Sequence, residues 1–208
     1  MADSSLTDTG IALERAPRSL GVHASTLLRQ LHPIESTITE DELRIYGLLG
    51  LALEDRVERA LTVLSKEDDW PWECFRLGEV ECDGIACSPD ILMVSKEDGS
   101  IRELSIKATW KSCRGLPVDE EGMGGFDERF DYYLDQCYTY ATPLQTTEAF
   151  LLVYFVNGDY AHQRKVPRGE EKKPPLPRVY GWELEFTEQE RDETWQALCN
   201  LRTSEERA

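Results

Sequence analysis

Residues Cys82 to Trp110, C-D-G-I-A-C-S-P-D-I-L-M-V-S-K-E-D-G-S-I-R-E-L-S-I-K-A-T-W, decide how this chain folds. They read as two strands joined by a tight turn. Lys96, Glu97, Asp98 and Gly99 supply the turn, and Asp-Gly is the strongest short hairpin signal. The first strand carries Pro89-Asp90 at its start. The second, Ile101 to Ala108, alternates. Arg102, Leu104, Ile106 and Ala108 point one way and are mostly apolar, while Ile101, Glu103, Ser105 and Lys107 point the other. One face is therefore expected to pack on a core. The other presents a carboxylate, a hydroxyl and an ammonium beside Asp90. Any half-exposed amphipathic strand can carry such groups on its wet face, so the cluster gains meaning only from its neighbours.

Upstream, Thr39 and Glu42 make a capping box for a helix running to Leu64. Leu43, Tyr46, Leu49 or Gly50, Leu53, Val57, Ala60 or Leu61, and Leu64 recur at helical spacing. Glu54 flanks that stripe, at the edge of the buried face, where a carboxylate is unusual unless paired or metal-bound. Glu58 follows one turn later. Before this helix, residues 1 to 22 read as a flexible polar leader, and Ser25 caps a short helix ended by Pro33. A strand is expected from Cys74 to Val80.

Downstream, Lys111 and Arg114 open a Gly-rich loop that lacks the order of a phosphate loop. Phe126 to Ala141 reads as a second helix, with Gln136 and Tyr140 sharing a face and Pro143 ending it. Ala149 to Val156 is a continuous apolar run of strand length, suited to a strand buried on both faces. His162 to Arg178 holds Arg164, Lys165, Arg168, Lys172, Lys173 and Arg178, a basic patch expected to contact phosphate. Val179 to Phe186 reads as an edge strand. Thr187 and Glu190 form another capping box for a final helix carrying Trp195, Leu198 and Leu201.

A chain of 208 residues, 40% hydrophobic and 30% charged, suits one soluble globular domain. It has no apolar run of membrane-spanning length and no signal-peptide pattern. The six cysteines lack CxxC spacing, which argues against a zinc ribbon and for reduced thiols in the cytoplasm. The net charge of −17 is unfavourable for a protein that binds phosphates. A DNA-binding role therefore needs a local basic surface or a divalent metal that offsets the carboxylates. Among other enzyme classes, a metal-free hydrolase is disfavoured, because His23, His32 and His162 have no nucleophile partner in view.

Taken in order, Gly50 to Glu54 (G-L-A-L-E), Asp83 to Asp90 (D-G-I-A-C-S-P-D), Ser105 to Thr109 (S-I-K-A-T) and Gln136 to Tyr140 (Q-C-Y-T-Y) resemble the PD-(D/E)XK nuclease superfamily. The closest likeness is to the branch of RecB nuclease domains, phage lambda-type exonucleases and CRISPR-adaptation exonucleases. The resemblance spans roughly residues 40 to 156. It implies an α/β, restriction-endonuclease-like single domain over residues 23 to 208, with a central mixed sheet flanked by helices. It also implies a metal-dependent DNA nuclease, an exonuclease of recombination or repair, possibly phage-derived.

The same resemblance implies roles for particular residues. Asp90, Glu54 and the backbone carbonyl of Ile106 hold Mg²⁺ or Mn²⁺, a cation that takes hard oxygen ligands. Lys107 orients or helps deprotonate the attacking water. Gln136 and Tyr140 position substrate, with Lys111, Arg114, Arg164 and Lys165 on the DNA. Related exonucleases carry a cysteine-ligated iron–sulfur cluster; with Cys199 alone in the C-terminal part, none is expected here. DNA is the expected partner, with a homo-oligomer or a recombination protein as further possibilities and no membrane.

The chain departs from the family at one position. Ser105 stands where the family carries Asp or Glu. Three accounts remain open. Glu103, on the same strand face, substitutes as catalytic and metal-binding carboxylate; or Glu58, Asp131 or Asp135 fills the place; or the site is catalytically impaired and the fold serves a DNA-binding, protein-binding or structural role.

Overall fold

The computed structural model describes residues 21–33, 40–113, 128–158 and 178–205. Strands β2 (Trp72–Phe75), β5 (Ile91–Ser95), β6 (Ile101–Thr109), β7 (Glu148–Phe155) and β8 (Arg178–Glu185) form a five-stranded sheet in the order β2-β5-β6-β7-β8. All its neighbours are antiparallel except β6 and β7, which run parallel, so the sheet is mixed, as expected. A smaller sheet orders β1 (Val22–His23), β4 (Ile85–Cys87) and β3 (Val80–Cys82) as β1-β4-β3. The helices among the described residues are α1 (Ala24–Leu31), α2 (Glu40–Leu64), α3 (Asp131–Leu144) and α4 (Glu188–Glu205). Helix α3 packs on both sheets and joins them into one domain.

A parallel neighbour cannot follow through a tight turn, so the chain must cross over between β6 and β7. The crossover lays α3 on one face of the sheet. There Cys137 and Ala141 pack with Ala149, Leu151, Val153 and Phe155 of β7 and with Trp182 and Leu184 of β8. On the opposite face, Leu53, Val57 and Leu61 of α2 cover Ile91, Met93, Leu104 and Ile106. Because strand side chains alternate, Leu104 and Ile106 toward α2 put Glu103, Ser105 and Lys107 toward α3. That face was expected to be wet. It is covered instead: Glu103 and Ser105 are each 0% exposed. The cause is tertiary, since β6 lies at the centre of a sheet with a helix on each side.

The hairpin forms where Asp98-Gly99 predicts it. The Ser95 N–H donates to the Ser100 carbonyl at 2.9 Å, and Gly99 adopts φ +74, a conformation that suits glycine. The register Ile91↔Leu104 through Val94↔Ile101 fixes which side chains share a face. Arg102, the polar member of the apolar side, lays its guanidinium 4.9 Å from the Trp72 ring centroid and 5.1 Å from that of Phe150. It also pairs with Glu148 and Glu183. The predicted Thr187–Glu190 capping box is present: the Thr187 N–H donates to Glu190 Oε2 at 2.7 Å, and the Glu190 N–H to Thr187 Oγ1 at 3.2 Å.

Other expectations shift. Helix α1 is capped by His23, not Ser25, with no side-chain cap bond. The single strand expected at Cys74–Val80 is two strands in different sheets, β2 and β3, parted at Arg76–Glu79 around Gly78. Pro143 lies inside the last turn of α3, which ends at Gln145 in a left-handed conformation, φ 54. Strand β7 is buried on alternate residues and half-buried on the others, and β8 is the edge strand, as read. Residues 1–20 of the expected leader and Thr39 of the first capping box lie outside the described residues, whereas Val22 pairs with Ile85. Among the described residues, no helix is long and apolar enough to cross a membrane.

Candidate active site

The site lies where β5 begins beside the middle of β6. The β5–β6 ladder ends at Ile91↔Leu104, and the residue before it, Asp90, caps the next rung. Asp90 Oδ2 accepts the Ile106 N–H at 2.8 Å and the Lys107 ammonium at 3.2 Å. Lys107 Nζ also donates to the Ile106 carbonyl at 3.1 Å. The two side chains are 9% and 13% exposed, so the pair is largely desolvated. Burial pulls the Lys107 pKa down. The charge of Asp90, followed by Tyr140 and Glu103, outweighs it and holds the ammonium protonated, above the usual lysine range.

Beside this pair sits Glu103. Its Oε1 accepts the Ser105 hydroxyl at 2.8 Å, and its Oε2 is buried without a hydrogen-bond partner. Burial, then the charge of Asp90, raises its pKa well above the glutamate range, with Lys107 and Ser105 opposing. The nearby Cys137 thiol is raised chiefly by burial, then by the charge of Glu103.

From α3, Tyr133, Gln136, Cys137 and Tyr140 recur at the spacing of one helix face and look down on β6. Burial raises the Tyr140 hydroxyl, with Lys107 opposing. Burial likewise raises that of Tyr133, with Thr109 opposing. The structure thus gathers Asp90, Glu103, Ser105, Ile106, Lys107, Gln136 and Tyr140.

Glu54 reaches a different partner. Helix α2 packs through Leu53 and Val57 on the other face of the sheet, and Glu54 Oε2 lies 3.8 Å from Arg76 Nη2. Arg76 also pairs with Glu58 at 2.7 Å. Asp135 Oδ2 accepts from His32 Nε2 at 2.6 Å, and Asp131 is exposed. Of the carboxylates weighed as replacements at Ser105, Glu103 is the one whose charge interacts with Asp90 and Lys107. Lys111 sets its ammonium 5.1 Å from the Phe130 centroid and 4.8 Å from that of Tyr133. Arg114, Arg164 and Lys165 lie outside the described residues.

Among the described residues, no group of three or more His, Cys, Asp or Glu is placed to hold a metal ion. The donors beside Lys107 are two carboxylates, Asp90 and Glu103, and the Ile106 carbonyl. Mg²⁺ fits such a set, because it is commonly held by one or two carboxylates while keeping several waters. The Oε2 of Glu103, without a hydrogen-bond partner among the described residues, supplies a hard oxygen.

Tyr133, Cys137 and Arg76 were not foreseen at the site or beside it. The helical spacing of Tyr133 and Cys137 with Gln136 and Tyr140 was the available signal. Arg76 carries none.

Solved structures similar to this chain include two crystal structures. One is the crystal structure of SSO0001, at 14% identity and a TM-score of 0.42, covering 91% of this chain and 80% of that one. The other is the crystal structure of LHK-Exo in complex with dAMP, at 14% identity and a TM-score of 0.44, covering 87% of this chain and 76% of that one. No family model and no curated relative matches the sequence.

Proposed function

We propose that this protein is a divalent-metal-dependent deoxyribonuclease that hydrolyses phosphodiester bonds at DNA ends. The observation that carries the reading is the placement of the Lys107 ammonium, 3.2 Å from Asp90 Oδ2 and 3.1 Å from the Ile106 carbonyl. A cation held beside a carboxylate and a backbone carbonyl suits stabilisation of the negative charge that builds on phosphorus.

Asp90, Glu103 and the Ile106 carbonyl hold the Mg²⁺ or Mn²⁺. When bound, the metal supplies Lewis acidity and a lowered pKa for its water. Lys107 orients the attacking water and the phosphate oxygens. Paired with Asp90, its ammonium serves as an electrostatic and positioning group. Gln136 and Tyr140, on the overlying helix, position the substrate. The net charge of −17 makes approach of DNA depend on divalent cation and on local basic residues such as Lys111. The preference for ends, and a role in recombination or repair of phage type, follow the sequence resemblance.

Purified protein incubated with linear and with circular DNA, with Mg²⁺ or Mn²⁺ and then with chelator, tests the reading. Metal-dependent loss of linear DNA, abolished in Asp90→Ala and Lys107→Ala, supports it. No cleavage of any substrate by the folded wild type overturns it.

A specific observation favours a second reading, a catalytically impaired protein of this fold that binds DNA or protein. Ser105 fills the acidic position and engages Glu103. Retained DNA binding without cleavage distinguishes it.

A further inference from the structure

The C-terminal helix is seated on the turn between β3 and β4. Asp83 and Gly84 form that turn with φ 49 and 71, the mirror-image geometry that Asp-Gly favours. Asp83 Oδ2 accepts the Trp195 indole N–H at 2.8 Å. Its carbonyl accepts from the Arg202 guanidinium. A Cβ at Gly84 would collide with that guanidinium, so the helix closes directly over the turn. Between Trp195 and Arg202, at i+4 from the first and i−3 from the second, stands Cys199 on the same helix face. Across from it, Cys82 precedes Asp83, and its Sγ lies 3.9 Å from the same Oδ2 that Trp195 touches. Cys82 and Cys199 both pack against one apolar cluster, with Ile85, Trp195 and Leu198. Both are partly accessible and reduced.

We infer that Cys82 and Cys199 form an oxidative modification site, a dithiol that closes to a disulfide and ties α4 to the small sheet. With a low-molecular-weight disulfide such as glutathione disulfide as oxidant, the steps balance. One protein thiolate attacks a glutathione sulfur, forming a mixed disulfide and releasing one glutathione thiol. The second protein thiolate attacks the protein sulfur of that mixed disulfide and releases the second glutathione. Two protons and two electrons leave the protein, and one S–S bond is gained.

The environment makes this a slow latch and not a fast-exchanging catalytic dithiol. Burial, then Asp83, raises both thiols; Cys199 adds to the rise at Cys82, and Arg202 opposes it at Cys199. With neither sulfur held as a thiolate, attack is slow at neutral pH. The reduced state also lacks the thiolate stabilisation that makes some disulfides strong oxidants. The neighbouring Cys87 is fully buried, its thiol pushed up to about 12 by burial, and is shielded from reagent.

The test is to treat the reduced protein with glutathione disulfide, alkylate it, and map non-reduced peptides by mass spectrometry. A linked Cys82–Cys199 peptide pair is expected, reversed by dithiothreitol. The melting temperature should rise by about 5–10 °C, because the bridge closes a long loop in the unfolded chain. Cys82→Ser and Cys199→Ser should each lose both effects, and Cys87→Ser should keep them. Separate glutathione adducts on Cys82 and Cys199 without a linked pair, or linkage of either to another cysteine, overturn the inference. The wild-type map decides even if a variant fails to fold.

Discussion

Asp90 and Lys107 meet through a single oxygen: Oδ2 of Asp90 takes both the Lys107 ammonium at 3.2 Å and the Ile106 amide at 2.8 Å. The carboxylate therefore does two jobs, pairing a largely buried charge and closing the end of the β5–β6 ladder. Losing the acid takes the Asp90 acceptor from the Ile106 N–H and leaves the buried ammonium with the Ile106 carbonyl but no counter-charge, whereas losing the amine leaves Asp90 its backbone N–H.

That asymmetry predicts unequal mutants. Asp90→Ala should cost about 3–5 kcal/mol, as for breaking a buried pair. Lys107→Met should cost less, about 1–2 kcal/mol, because its stem is replaced and Asp90 keeps a hydrogen bond. Urea unfolding of both and of the double variant gives the coupling. Equal costs for the two single variants would show that the amide bond contributes nothing.

Glu103 gives a second prediction. Burial and the charge of Asp90 raise its pKa and disfavour its charged form, so an amide of the same shape, with no charge to bury, loses little. Glu103→Gln should leave stability within about 1 kcal/mol of wild type, while calorimetric Mn²⁺ affinity falls at least tenfold. Unchanged Mn²⁺ binding would remove Glu103 from the proposed ligands. Ser105→Glu, in contrast, places a second acid in a fully buried position, and should lower the melting temperature in the absence of metal.

What could be read beforehand was local chemistry. The Thr187–Glu190 box, the Asp98-Gly99 turn and the alternation of Ile101 to Ala108 involve residues within a few positions of one another, and each forms as read. That Gln136 and Tyr140 share a helix face followed from periodicity, whereas their place beside Asp90 and Lys107 followed from the family resemblance. What could not be read was coverage. Nothing within β6 says that α3 lies over Glu103 and Ser105, because that depends on where the crossover returns. Nor does Arg102 announce Trp72 and Phe150 as its stacking partners, or Glu54 its pairing with Arg76. These contacts join segments far apart in the chain, where periodicity carries no information.

The hairpin gives a pH prediction. Hydrogen bonds from Ser100 and Ser95 pull the Asp98 carboxyl down to about 2 from the ordinary value of 3.8. A depressed acid contributes stability that is fully present above its unfolded value and is lost as pH falls through its folded value. Wild type minus Asp98→Asn should therefore show a stability difference that is constant above about pH 5 and declines between about pH 4 and 2. A difference independent of pH across that window would mean that the carboxylate charge plays no part in the turn.

Tyr140 separates a structural from a positioning role. Its hydroxyl is buried and close enough to Lys107 for the ammonium to oppose the rise in its pKa. Tyr140→Phe removes the buried hydroxyl and keeps the ring, so it should change stability by no more than about 1–2 kcal/mol. If the hydroxyl also positions a phosphodiester, kcat for linear DNA should fall about tenfold or more with KM little changed, since the interaction strengthens as charge develops. A Tyr140→Phe enzyme with full kcat would confine this tyrosine to packing, and would shift the burden of substrate placement to Lys107 and Lys111.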